Sequence, residues 1–191
     1  MLEYFYNEKA QVYDDTYDAA YYKAEDEDLF RRIQAMRIGS TVLDIGCGTG
    51  ILLDYISVDP KDYVGIDPTH NMLTQFADKH PGYTTVETPL EHFETAEVFD
   101  TVVALYGSPS YIDPAQYEKI SDRVRSGGAL CLLFYKPGYF PRNYTEAELA
   151  TMEGRIDYNK IVALGSHAYI FNNYVMITNA EQPDLEPYEN I

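Results

Sequence analysis

The sequence of 191 residues has little of what would place it in a membrane, a secretory compartment or on nucleic acid. No apolar run is long enough to span a bilayer. The first residues, from Met1 to Glu8, have no basic start followed by an apolar stretch, so no signal peptide is expected. There are only two cysteines. Cys47 falls in a glycine-rich turn and Cys131 in an expected core strand, which speaks against a disulfide framework and suits a reducing cytoplasm. His70, His80, His92 and His167 are scattered with no pair at metal-ligand spacing, and no metal site is expected. Basic residues are scarce, 14 Lys and Arg against 31 Asp and Glu, for a net charge of −17. Such a surface repels phosphate backbones and anionic membranes, so neither is expected as a partner. The acidity itself fits solubility or a salt-adapted source, and also attraction of a cationic substrate. No repeat or linker interrupts the chain, and one domain is expected.

What is present begins with Val42-Leu43-Asp44-Ile45-Gly46-Cys47-Gly48-Thr49-Gly50. Its first four residues read as a short buried strand, its three glycines as a tight turn, and Ile51-Leu52-Leu53 as the opening of a helix. Glycines permit positive φ and close approach of a ligand, and the helix start offers unpaired N–H groups. A loop that cradles phosphate ordinarily carries a Lys and avoids carboxylates. Here the Lys is missing and Asp44 stands two residues before the first glycine. A negative charge at that point repels a pyrophosphate and suits a ligand bearing an ammonium and a sulfonium, which describes S-adenosylmethionine. The glycine spacing also departs from the dinucleotide fingerprint. Cys47 is either an activated thiol beside a helix start or a small residue filling the turn.

On these residues the chain resembles a class I S-adenosylmethionine-dependent methyltransferase of the small-molecule type, in family order over nearly its whole length. The resemblance implies a doubly wound α/β fold with a seven-stranded, mostly parallel sheet and an antiparallel last strand. It implies a cofactor site of Asp44, Gly46, Cys47, Gly48, Gly50, Asp67, Pro68, Met72, Pro89, Leu90 and Leu105. Tyr63 to Asp67 is then the second strand, and Asp67, about 20 residues beyond the loop, is placed to accept from ribose hydroxyls. Asp67 also reads as the cap of a helix starting at Pro68. Met72 corresponds to a residue packing on the adenine, or is an ordinary core residue with Leu73 and Phe76. Pro89 stands where many members carry an Asp, leaving adenine recognition to the Leu90 backbone and apolar packing. Phe99 to Leu105 resembles the fourth strand, whose end meets the methionine part of the cofactor.

The first 23 residues are rich in tyrosine, and the segment Asn7 to Asp14 resembles the family's N-terminal stretch that folds over the cofactor and ends in a Tyr-Asp pair. It reads equally as a lid, with Tyr13 near the transferred methyl, or as an amphipathic scaffold. A helix is expected over Glu25 to Arg37. Asp113-Pro114 caps a helix towards Val124, and Ser126-Gly127-Gly128 turns into a buried strand from Ala129 to Tyr135. Thr145 to Glu148 is a capping box. Last strands are expected at 161–164 and 169–178, with His167 at the acceptor rim, and the tail from Glu181 is expected to be loosely held. Residues 1–38 form the helical lid or scaffold, 39–180 the α/β core and 181–191 the acidic tail. Tyr106, Tyr111 and Tyr139 are the candidate walls of an acceptor pocket. The expected function is methyl transfer to a small-molecule acceptor. The competing class is a non-catalytic, cofactor-binding accessory subunit of the same fold.

Overall fold

The computed structural model describes residues 2–36, 39–139 and 156–189. Its centre is a sheet in the order β3-β2-β1-β4-β5-β7-β6-β8. The strands are β1 (Val42–Ile45), β2 (Tyr63–Asp67), β3 (Thr84–Glu87), β4 (Phe99–Ala104), β5 (Val124–Tyr135), β6 (His167–Phe171), β7 (Tyr174–Thr178) and β8 (Glu186–Pro187). β1 to β5 pair in parallel, and β7 lies antiparallel to both β5 and β6. The sheet thus has one strand more than the seven expected, because Tyr169 and Ile170 of β6 pair with Pro187 and Glu186. A two-residue edge of that kind carries no periodicity that a sequence could show.

Burial explains the strand choice. β1 and β7 are buried at every position, and β5 from Gly128 onward, which is why they read as nearly unbroken apolar runs rather than alternating ones. The expected turn at Ser126 to Gly128 is instead an irregularity inside β5. The register jumps from Phe99 opposite Val124 to Thr101 opposite Ala129, with Gly127 at φ +76° absorbing the extra residues.

The helices differ from expectation mainly in their limits. α1 (Leu2–Lys9) and α2 (Tyr13–Thr16) precede α3 (Ala20–Met36), which starts earlier than Glu25. α4 (Ile51–Tyr55) follows the glycine loop and α5 (His70–Lys79) follows β2, starting at His70 rather than Pro68. The helix expected after Asp113 is a 3-10 turn, Pro114–Gln116, running into α6 (Tyr117–Ser121). The capping box at Thr145 lies outside the described residues.

Two C-terminal expectations are corrected. Residues 158–161 form a one-turn helix, so no strand starts at Ile161. The hairpin instead lies within 167–178, folding at Asn172, whose φ of +51° is the left-handed geometry that a two-residue turn requires and that Asn tolerates. The tail is not loosely held as far as Glu189. Gln182 is buried, and the buried Arg32 guanidinium donates to Gln182 Oε1 at 2.9 Å and to both Asp184 carboxylate oxygens at 2.9 and 2.7 Å. The acidic composition that suggested disorder is partly consumed by one buried arginine.

The order of the sheet locates a crevice. β1 pairs with β2 on one side and β4 on the other, so the chain turns opposite ways after these two strands, and ligands of such sheets sit outside the carboxyl ends at that switch. The glycine loop follows β1, and the segment Leu105 to Tyr111 follows β4.

Candidate active site

The glycine loop is pinned from below. Gly46 and Cys47 both donate backbone N–H groups to Ile66 O of β2, at 2.7 and 3.1 Å. Gly46, Gly48 and Gly50 all have positive φ, at 71°, 53° and 89°. The three differ in what lies beside them. A Cβ on Gly46 would sit 2.6 Å from Ser108 Cβ, and one on Gly50 would meet His80 and Phe76 at 2.6 and 2.8 Å. A Cβ on Gly48 meets nothing within 4 Å. Gly46 and Gly50 are therefore glycines for packing as well as conformation, whereas Gly48 faces open space at the mouth of the crevice. Cys47 is buried, and burial followed by the nearby Asp44 and Asp67 raises its thiol well above the usual range. Both burial and the raised thiol favour the reading in which it fills the turn.

Two carboxylates flank the loop. Asp67 accepts from Thr69 N–H at 2.8 Å through one oxygen and from Gly48 N–H at 3.1 Å through the other. It braces the turn into α5 without being the helix cap, since Thr69 occupies that position. Each oxygen keeps a further lone pair for a ligand. Asp44 is 3% exposed and accepts from Tyr63 Oη at 3.0 Å. Burial raises it to about 7, with the nearby Asp67 adding to the shift and the Tyr63 hydrogen bond opposing it. The expected fixed negative charge at Asp44 is thus only partly present at neutral pH, because desolvation disfavours the charged form until a cation arrives.

The N-terminal segment closes one side. Asn71 donates twice to Asn7 at 2.9 Å, from its backbone N–H to Oδ1 and from Nδ2 to the backbone carbonyl, seating α1 on α5. Thr49 Oγ1, within the glycine loop, donates to Asp14 Oδ1 at 2.6 Å. Lys79 bridges Asp14 and Asp54 at 2.8 and 2.6 Å, so its charge is already neutralised. Met72 and Ala10 are buried, yet neither belongs to the main apolar core cluster. Tyr13 is half-buried. Burial of its phenol, then the neighbouring Tyr6, Tyr17, Tyr174 and Asp67, hold its hydroxyl well above the usual range. The segment covers the crevice instead of lying elsewhere on the sheet.

The opposite side is built largely of tyrosine. Leu105 is buried and Tyr106 has φ +50°, an uncommon conformation for a non-glycine residue. Its hydroxyl is held by Asp26, which also accepts from Tyr55 Oη at 3.3 Å. Gly107 admits the Tyr135 ring, which lies 2.1 Å from where a Cβ would be. The Tyr111 hydroxyl is 3.2 Å from those of both Tyr6 and Tyr135. Tyr139 packs on Tyr135 and Tyr174 with ring centroids 6.1 and 6.2 Å away. Pro89 is half-buried and Leu90 fully buried beside the end of β2, where Thr88 N–H donates to Asp67 O at 3.1 Å. Pro68 follows Asp67 in the turn to α5.

Sequence reasoning gave no role to Ser108, Thr49, Glu25, Asp26, Tyr135 and Tyr174. Glu25 and Asp26 lie in the run Glu25-Asp26-Glu27-Asp28, where nothing distinguishes a buried acid from an exposed one. His167 is misplaced by the sequence reading. β6 runs parallel to β5, so its first residue pairs with Thr178, far from Tyr174 and the crevice. His70 is exposed and pairs with Glu87 at 2.8 Å. Among the described residues there is no metal-binding group of His, Cys, Asp or Glu, and no helix long and apolar enough to cross a membrane.

Residues 42–128, from β1 into β5 and including the glycine loop, match the family described as "Methyltransferase domain". That stretch, somewhat under half of the chain, is similar to the class I S-adenosylmethionine-dependent methyltransferases. The chain is 25% identical over 166 residues to the dTDP-3-amino-3,4,6-trideoxy-alpha-D-glucopyranose N,N-dimethyltransferase of Streptomyces venezuelae, covering 81% of this chain and 68% of that one. Among solved structures it resembles an S-adenosylmethionine-bound amino pentose methyltransferase from Micromonospora echinaspora, at 25% identity and TM-score 0.56. That match covers 70% of this chain and 60% of the other. The complex of DhpI with SAH matches in fold over 95% of both chains, at TM-score 0.68 and 17% identity. The chain spans 60% of the length of the amino pentose methyltransferase structure and of the DesVI structure from Streptomyces venezuelae. S-adenosylmethionine is the family's cofactor, and the cradle suits it: open space at Gly48, two carboxylates, and a lysine taken up by other acids.

Proposed function

We propose that this protein transfers a methyl group from S-adenosylmethionine to a small-molecule acceptor. The relatives named above direct that proposal to an amine on a sugar-like ring. The observation that carries it is the open face of Gly48 beside Asp67, with the N-terminal segment tied to the same loop through Thr49 and Asp14. Bound there, the cofactor supplies an electrophilic methyl on sulfur, so the protein's work is alignment and exclusion of water. In this reading Asp67 and Pro68 hold the ribose end, and Met72, Pro89 and Leu90 pack the adenine. Asp44, the backbone from Gly46 to Gly50, and Leu105 hold the methionine end. Tyr106, Tyr111 and Tyr139 wall the acceptor. We place the reaction in the cytoplasm, on a free small molecule rather than nucleic acid or membrane. Incubation with a metabolite pool and labelled cofactor, followed by mass spectrometry of methylated products, tests the activity. Cofactor binding with no product from any amine pool supports the accessory-subunit alternative.

Two substitutions separate binding from turnover. Asp67→Ala is expected to weaken S-adenosylmethionine by about 1.5 to 3 kcal/mol, the range for hydrogen bonds to a charged group. Calorimetric titration of the folded variant measures it, and an unchanged dissociation constant leaves Asp67 as a brace for the α5 turn. Tyr13→Phe keeps the ring that helps cover the crevice and loses only a hydroxyl. It should therefore bind cofactor with unchanged affinity and turn over more slowly. Steady-state kinetics with the acceptor found in the pool assay decides, and an unchanged kcat returns Tyr13 to a packing role.

A further inference from the structure

After β4 the chain reverses on two successive left-handed residues, Tyr106 at φ +50° and Gly107 at φ +84°. Glycine takes that geometry freely, whereas a bulky residue such as Tyr106 holds it only where its surroundings fix it. The reversal sets Ser108 on the glycine loop. Ser108 N–H donates to Leu105 O at 2.9 Å, and its hydroxyl donates to Gly46 O at 3.3 Å. Its Cβ lies 2.6 Å from where a Cβ on Gly46 would be. The spacing between the loop after β1 and the segment after β4 is therefore set by direct contact, and relaxation at Tyr106 alters it.

Asp26 is what holds Tyr106. It is 7% exposed, lies in α3, and its two oxygens serve different elements: one accepts from the Tyr106 hydroxyl and the other from Tyr55 Oη at 3.3 Å. Tyr55 is the last residue of α4, the helix that begins where the glycine loop ends. Phe30, one turn further along α3, stacks on Tyr55 with ring centroids 4.5 Å apart and meets the Tyr106 ring at 6.5 Å. Gln34, another turn on, donates from Nε2 to Tyr55 O at 3.0 Å. Successive turns of one α3 face thus grip the elements downstream of both loops, and Asp26 is hydrogen-bonded to both.

We propose that Asp26 is a positioning residue: by tying Tyr106 to Tyr55 it keeps the segment after β4 at the spacing from the glycine loop that binds S-adenosylmethionine. This rests on the methyltransferase reading and adds to it a residue that acts through another. A buried carboxylate shared by two phenols resists the sliding of either, since releasing one leaves a desolvated polar group unpaired. Without that tie Tyr106 is free to leave the left-handed region, and Ser108 then moves off Gly46.

The test is calorimetric titration of the full chain with S-adenosylhomocysteine. Asp26→Ala and Tyr106→Phe should each weaken it about tenfold, in the range for changes that act on a site without touching its ligand. Tyr106→Phe keeps the ring contacts with Phe30 and Tyr174 and loses one oxygen. Because both changes break the same tie, the combined variant should bind about as well as the weaker single one. Asp26→Asn offers an acceptor to Tyr106 and a donor to the Tyr55 oxygen, so it should stay within about threefold of the wild type. If Asp26→Ala does not fold, Tyr106→Phe and Asp26→Asn carry the test. Variants that melt lower yet bind as the wild type does would reduce Asp26 to a stabiliser of the fold and overturn the proposal, with the methyltransferase reading intact. Losses that add in the combined variant overturn it as well. A wild type that does not bind S-adenosylhomocysteine removes the methyltransferase reading itself, and this role with it.

Discussion

Gly48→Val is expected to remove measurable S-adenosylmethionine binding while leaving a folded protein. Gly48 has φ +53°, so a β-branched residue there costs on the order of 1 to 2 kcal/mol of backbone strain. No protein atom lies within 4 Å of the added Cβ, so no overlap adds to that cost. The new side chain fills the space left for a ligand. Gly46→Ala and Gly50→Ala should behave in the opposite order. Their Cβ atoms would overlap Ser108 at 2.6 Å and the His80 and Phe76 rings at 2.6 and 2.8 Å, so stability falls first. Thermal melts with and without cofactor separate the cases. If Gly48→Val is stabilised by cofactor as fully as the wild type, the loop is not the cradle.

Asp44→Asn is expected to stabilise the cofactor-free protein and cripple its binding site. Asp44 is raised to about 7 in the fold from an ordinary 3.8. Between those values the folded state holds a proton that the unfolded chain has released, so stability decreases as pH rises from about 4 to 7 and is level above. A shift of that size corresponds to about 4 kcal/mol, at 1.36 kcal/mol per unit. Burial raises Asp67, Glu25 and Asp26 in the same sense, so their contributions add to the trend. Asp44→Asn should therefore raise the melting temperature at pH 8 and flatten its dependence on pH. In the wild type a cationic ligand must draw Asp44 into its charged form, so affinity should fall about tenfold per unit below pH 7. The variant should bind weakly with no such slope. Calorimetry from pH 5.5 to 8.5 measures both, and a wild-type affinity independent of pH would remove Asp44 from the ligand's charge balance.

Several elements were legible because their signals are local. The run Val42 to Gly50 spells strand, turn and helix from residue types alone, and Asp44 within it argues for a cationic ligand through charge alone. The apolar run Ala129 to Tyr135 announces a strand covered on both faces. What could not be read locally is where equivalent residues end up. Glu25 and Asp26 look like Glu27 and Asp28 in sequence, yet the first two are buried, Asp26 against the Tyr55 and Tyr106 hydroxyls. Asn172-Asn173 carries the turn signal that would have split 169–178 into a hairpin, but the apolar residues on both sides mask it. The tail became ordered through Arg32, some 150 residues distant in the chain, an ion pair that no window of sequence can contain.

The sequence by itself determined the strand-loop-helix at Gly46 to Gly50, the paired acids Asp44 and Asp67, and the excess of acidic over basic side chains. These follow from backbone freedom at glycine, from charge, and from hydrophobic period, all properties of a short stretch. Tertiary structure decided which glycine faces open space, which carboxylates lose their water, and which of many tyrosines pack together. Those outcomes depend on contacts between elements distant in the chain, and desolvation, which sets the Asp44 charge, exists only once those elements have closed together.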